Sequence, residues 1–226
     1  MFFSKISKIF NDQPKPKLDK IFDEYFPPKI DNNSESDNSL FSKDKNGNRT
    51  DIIHYDENKN KLITDNNGKK IEGKFIWKRL SEIPAFNNFS LFPNDEIHSC
   101  LFDQGMICDC YCIDAISGLS NYGQLITQIF KILERNDQGY YEIYLFIDGE
   151  FQIIYLDDYF PFYVYDETIN NNKIKINYLA FSKPSPNNYS FYLMLLEKAW
   201  AKINGGYSNI QGGWTGEVTE TICACQ

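Results

Sequence analysis

The sequence predicts an α+β fold on three observations. Apolar and polar residues alternate on both sides of an Asp-Gly turn, runs of helical apolar spacing flank that region, and no strand–helix–strand repeat orders them. Of 226 residues, 42% are hydrophobic and 16% aromatic, enough to bury the core of one or two compact domains. Lys and Arg number 23 against 31 Asp and Glu, a net charge of −8 that repels phosphate backbones and anionic lipid surfaces. A nucleic-acid or membrane-surface role is disfavoured from the outset.

In chain order, Phe2, Phe3, Ile6, Ile9 and Phe10 sit at spacings that suit one face of a short helix, which either docks or frays. From Phe10 to Glu72 the composition turns to Asn, Asp, Lys and Ser, so residues 1–72 are read as a largely flexible N-terminal region. Within it, IIHY and KLIT suit short strands around a polar turn. Asp56, Asn58 and Asn60 mimic the opening of a calcium-binding loop, but Lys61 stands where the sharp turn needs Gly and Asn67 where Glu should close the cage. That excludes calcium there. The opening MFFSKISKIF is broken by Lys5 and Lys8, and no stretch nears the roughly 18 apolar residues of a membrane span. A soluble protein of the reducing cytoplasm is expected, with neither a nucleic-acid partner nor a membrane span.

The folded domain is expected over residues 73–226, opening with FIWKRLSEIPAF. After Asp109, the positions Ile113, Ile116 and Leu119 predict a helix, with Asp109 capping its first turn and Cys110 at its N-terminus. A second helix is predicted from Gln124 to Glu134, with Leu125, Ile129, Ile132 and Leu133 on one face. Tyr141, Ile143, Leu145 and Ile147, a turn at Asp148 and Gly149, then Phe151, Ile153 and Tyr155 predict a hairpin. Asn170 to Asn172 form another turn, KIKINYLAF a strand, and SFYLMLLEKAWAKI a buried helix ending near Asn204 and Gly205. Asp157 and Asp158 are adjacent strand residues facing opposite sides, which fits a structural strand end better than a catalytic carboxylate pair. Trp200 and Trp214 read as packing residues, with Gly212, Gly213 and Trp214 bordering a cleft.

A nucleophilic thiol needs its thiolate favoured, and a helix N-terminus supplies part of that at Cys110. Gln104, across the Gly105 turn, is placed to offer its side-chain amide to an oxyanion, so acyl chemistry is the expectation. Cys108, Cys110, Cys112, Cys223 and Cys225 are soft donors, but one-residue gaps at a helix start point thiols apart, which argues against zinc.

QGMICDCY, with Gln104, Gly105, Asp109, Cys110 and Tyr111, resembles the active-site segment of calpain-type cysteine proteases. WKRLSEI at Trp77–Ile83 is similar to the family's Trp-Lys-Arg-Pro segment, and GYYEIYLF, GEFQIIYLDDYFP and LLEKAWAKINGGYSNIQGGWTGE resemble further segments in the same order. The resemblance implies a papain-like fold of two lobes with the site between them. It implies a first lobe here, mainly helical with a small hairpin and sheet region, and a second lobe absent. It also implies Cys110 as nucleophile and Gln104 as oxyanion donor of an endopeptidase acting on polypeptides.

The family's catalytic His and Asn belong to the second lobe, and the chain's two histidines, His54 and His98, both precede Cys110. A loop residue such as His98 is a poor substitute because no motif sets its geometry, and the chain alone is expected not to cleave peptides efficiently. The alternatives are completion of the cleft by a second lobe or another polypeptide, or a catalytically dead protease-like binding module. Cys108 stands where the family usually has Gly, which is expected to disturb Cys110 through its Cβ, and Tyr111 where it has Trp. The positions matching the family's first-lobe calcium ligands, Leu101 and Ser190, lack carboxylates, so no cofactor is expected in this chain, and calcium is left to the rest of a full-length family member.

Overall fold

A computed structural model of the chain describes residues 42–43, 49–50, 73–93, 97, 102–105, 107–135, 137–169, 172–184 and 189–224. Of the N-terminal region, Ser42–Lys43 and Arg49–Thr50 are described and pair antiparallel. The expected N-terminal helix, the strands IIHY and KLIT and the loop from Asp56 to Asn67 lie outside the described residues. From residue 73 the elements are β1 (Gly73–Arg79), β2 (Phe102–Asp103), α1 (Cys110–Ser120), α2 (Gly123–Ile129), β3 (Tyr140–Ile147) and β4 (Glu150–Asp157). They continue with β5 (Tyr159–Ile169), β6 (Asn172–Leu179), β7 (Lys183–Pro184), α3 (Tyr192–Ile203) and α4 (Thr215–Cys223). The α+β expectation holds, although strands occupy more residues than helices, so "mainly helical" understates the sheet content.

The β3–β4 hairpin turns where Asp148 and Gly149 both take positive φ, 53° and 84°, the pair of left-handed residues that a tight two-residue turn needs. Its burial departs from the expected alternation. Every side chain from Tyr140 to Leu145 is buried, whereas on β4 the buried apolar residues are Ile154 and Leu156, opposite Ile143 and Tyr141. Ile153 and Tyr155 point to the other face, because the register with β3 decides which side of β4 meets the core. After a bend at Asp158 the chain enters a second antiparallel sheet of order β1-β5-β6. Pro161 is tolerated in its central strand because β6 pairs only as far as Phe162, and the Pro161 carbonyl accepts the Ala180 N–H at 3.0 Å.

The second predicted helix is cut short. α2 ends at Ile129, because Phe130 leaves the helix to bridge to Ile143 and the Lys131 N–H donates to the Glu142 carbonyl at 3.0 Å. Leu133, predicted to share one face with Leu125, Ile129 and Ile132, is 53% exposed. By contrast α3 matches its prediction and is buried from Tyr192 to Ala201, a core helix apolar nearly all round, ending before Gly205 at φ 83°.

Two ionisable neighbours lie inside α3. Lys198 is fully buried, and its ammonium is satisfied by the Asp157 carboxylate, the Asp157 carbonyl at 3.2 Å and the Tyr159 carbonyl at 2.9 Å. Asp158 faces away, toward Arg79 at 3.3 Å, as adjacent residues of a strand end must. Burial raises the Asp158 carboxyl against the pull of Arg79. Lys198→Ala leaves a buried carboxylate without its cation and should lower stability by about 3–5 kcal/mol. A urea midpoint equal to that of the wild type would contradict this.

Candidate active site

Asp109 precedes the first turn of α1 with φ −110° and ψ 28°, and its carbonyl accepts the N–H groups of Cys112 at 2.8 Å and Ile113 at 3.2 Å. Its side chain makes no cap hydrogen bond, which corrects the sequence expectation. The carboxyl is turned inward instead and is fully buried. Cys110 is the first helical residue and is exposed. Cys108 is half-buried, Cys112 and Cys223 are buried, and none of these described cysteines forms a disulfide. Burial pushes the Cys112 thiol well up, with Asp109 and Glu197 adding to it. Among the described cysteines, Cys110 alone combines solvent access with a helix N-terminus.

Gln104 follows β2, which is tied to β7 through Phe102↔Pro184 and Asp103↔Lys183. The Gln104 side chain is exposed, and its Nε2 donates to the Ile107 carbonyl at 2.6 Å, which ties the amide to the turn and leaves it one further N–H. Gly105 is required because any Cβ there would lie 2.3 Å from the Phe181 backbone. Across the turn, the Gly212 N–H donates to the Cys108 carbonyl at 2.8 Å. Gly213 lets the Tyr111 ring approach, since a Cβ would sit 2.5 Å from it. Tyr111 in turn accepts a hydrogen bond from Trp200 Nε1 at 2.8 Å, and burial raises its hydroxyl. Trp214, next in this wall, is 76% exposed. Cys108 is not among the residues with positive φ, so its Cβ meets no left-handed backbone strain.

Beneath the turn, Asp109 meets Glu197 of α3, itself 2% exposed. Glu197 accepts the Ser182 N–H at 3.1 Å and the Ser182 hydroxyl at 2.6 Å. Burial raises the Asp109 carboxyl to about 6, opposed by Glu197, by its own backbone amide and by Gln104. Burial also lifts Glu197 well above the ordinary range, and Asp109 lifts it further. Sequence reasoning passed over Glu197 and Ser182. The available signal was an acid and a base side by side, Glu197 and Lys198, inside an otherwise apolar helical run, MLLEKAWA.

His54, His98, Leu101 and Cys225 lie outside the described residues. Ser190 is buried and brings no carboxylate. Among the described residues no group of three or more His, Cys, Asp or Glu is arranged to hold a metal ion. No described helix is long and apolar enough to cross a membrane.

The profile of the calpain family cysteine proteases matches residues 53–225, and the chain belongs to that family. Calpain clp-4 of Caenorhabditis elegans is 32% identical over 152 residues, 65% of this chain and 19% of that protein. The calpain-type cysteine protease DEK1 of Zea mays is 28% identical over 140 residues, 61% of this chain and 6% of that protein. The calpain-1 catalytic subunit of Mus musculus is 29% identical over 147 residues, 64% of this chain and 18% of that protein. The chain therefore spans less than a fifth of the length of these relatives.

Gly105→Ala should drive the Gln104 turn off the Phe181 backbone and destabilise the fold by about 1–3 kcal/mol. Thermal melting reads this, and an unshifted transition would show that the turn does not rest on Phe181.

Proposed function

We propose that residues 73–226 carry the nucleophile-bearing lobe of a calpain-like endopeptidase with a papain-like, two-lobed catalytic domain. Cys110 thiolate attacks the carbonyl carbon of a peptide bond, while the Cys110 backbone N–H and the Gln104 amide hold the oxyanion. The amine leaves with a proton, and water then releases the acyl group from sulfur. Polypeptides are the substrates, and the cytoplasm, where thiols stay reduced, is the setting. The observation that carries this reading is the exposed Cys110 thiol at the start of α1, one short turn after Gln104.

The base that takes the Cys110 proton and the group that orients it come from a second lobe, since no histidine follows Cys110 in this sequence. This lobe needs no cofactor of its own in this reading, and Ser190 offers no carboxylate to a calcium ion. The same lack of histidine favours a second reading, a protease-like module that binds polypeptides without cleaving them. A binding module has no chemical need of an open thiol beside a glutamine, which is why the first reading ranks ahead.

Treatment of the chain with a thiol-directed epoxide at neutral pH, followed by peptide mapping, should label Cys110 at least about tenfold faster than Cys108, Cys112 or Cys223. Equal labelling would remove the nucleophile. Turnover of a fluorogenic peptide by the chain alone should stay at the background set by Cys110→Ala, and hydrolysis well above that background would contradict the need for an outside base.

A further inference from the structure

The contact between Asp109 and Glu197 is a pairing of two acids inside the protein, with no cation among the described residues set against them. Both carboxyl groups are buried, at 0% and 2% exposure. Neither Asp109 oxygen meets an N–H or O–H donor in full hydrogen-bonding geometry among the described residues. Glu197 receives two donors, both from Ser182. The groups that face the pair are Gln104 from the turn, Ser182 from the segment after β6, the thiol of Cys112 and the phenol of Tyr111 from α1. None of these is positively charged. Lys198, next in sequence to Glu197, is spent on Asp157 and on two carbonyls.

Two carboxylates in buried contact repel strongly, whereas a carboxylic acid and a carboxylate form a strong, charge-assisted hydrogen bond. The burial of both groups against each other is stable only with one proton between them. Resting on the reading of Cys110 and Gln104 as the reacting pair, we propose that Asp109 and Glu197 share a single proton, and that this acid pair is a positioning element that holds the Gln104–Cys110 turn. Asp109 is covalently next to Cys110, and its carboxyl lies against the Gln104 amide, so a displacement of Asp109 moves both reacting groups. Glu197 acts through Asp109 and does not touch the substrate. Ser182 adjoins Phe181, whose backbone carries Gly105, so the far end of the pair braces the same turn from below.

The pair titrates as a unit, and its behaviour with pH has a definite sign. The folded chain binds the shared proton more tightly than the unfolded chain, whose acids titrate near 4, so the contribution to stability is complete at low pH. It is lost as pH rises, beginning in the range up to about 6 where Asp109 titrates and continuing above it where Glu197 does. Glu197→Gln supplies a permanent N–H donor to Asp109 and removes the proton from the account, while Glu197→Ala removes the partner altogether.

Infrared difference spectra of the whole chain at neutral pH should show the carbonyl band of a buried protonated carboxylic acid that is lost in Glu197→Gln. The melting temperature of the wild type should fall between about pH 4 and pH 8, and that of Glu197→Gln should change less over the same span. The ratio of Cys110 alkylation rates, Glu197→Gln over wild type, should shift by about threefold or more across that span, with Glu197→Ala slow throughout. Absence of the acid band, or equal pH slopes for wild type and Glu197→Gln, would overturn the shared proton. A rate ratio that stays constant with pH would overturn the positioning role. A Cys110 that labels no faster than Cys108 would instead sink the nucleophile assignment, while the infrared and melting results still judge the acid pair.

Discussion

Glu197 and Lys198 are neighbours in a helix that is buried on every side, and opposite charges one residue apart on a helix point in different directions. Each must find its own partner in the interior, because an unpaired buried charge is worth several kcal/mol of instability. Lys198 takes the end of β4 and the start of β5 through Asp157 and the Tyr159 carbonyl. Glu197 takes Ser182 and meets Asp109. One turn of α3 thus fixes the hairpin on one side and the start of α1 on the other.

Around that anchor the site is shaped by close approaches that only glycine permits. Gly105 lies on the Phe181 backbone, and Gly213 lies on the Tyr111 ring. The Gly212 N–H reaches the Cys108 carbonyl, which joins segments about a hundred residues apart on either side of Cys110. These contacts use backbone and aromatic faces, so the Cys110 thiol is left open while Cys112 and Cys223 are packed away. Cys110 owes its exposure to its place as first residue of α1, and Cys112, two residues on, turns into the core.

Local patterns carried the sequence reading far in some places and failed in others for identifiable reasons. The Asp148-Gly149 turn, the start of α1 and the span of α3 were legible because turn chemistry and helical spacing are written in consecutive residues. The length of α2 was not, since Phe130 and Lys131 leave the helix for partners on β3 that lie about a dozen residues away. The inner face of β4 was not legible, because Tyr141 and Ile143 select Leu156 and Ile154 by register. Pro161 hid the strand character of β5, and β1 acquires its role only by pairing with β5. Cys110 and Gln104 were visible through a family-like segment, whereas Asp109 suited an N-cap by its residue type. Its inward turn depends on Glu197, and the distance between them along the chain left no pattern to read.

Membership of the calpain family explains why a thiol, a glutamine and a Gly-Gly-Trp loop converge in an α+β domain, and the acid beneath them explains how the convergence is held. The most direct measurement is a double-mutant cycle on stability at neutral pH with Asp109→Ala, Glu197→Ala and the double variant. If the two side chains act as one unit, the double variant is less destabilised than the sum of the singles by at least about 1 kcal/mol. Additivity within about 0.5 kcal/mol would show that α3 and the start of α1 are not coupled through these groups, and the account would fail.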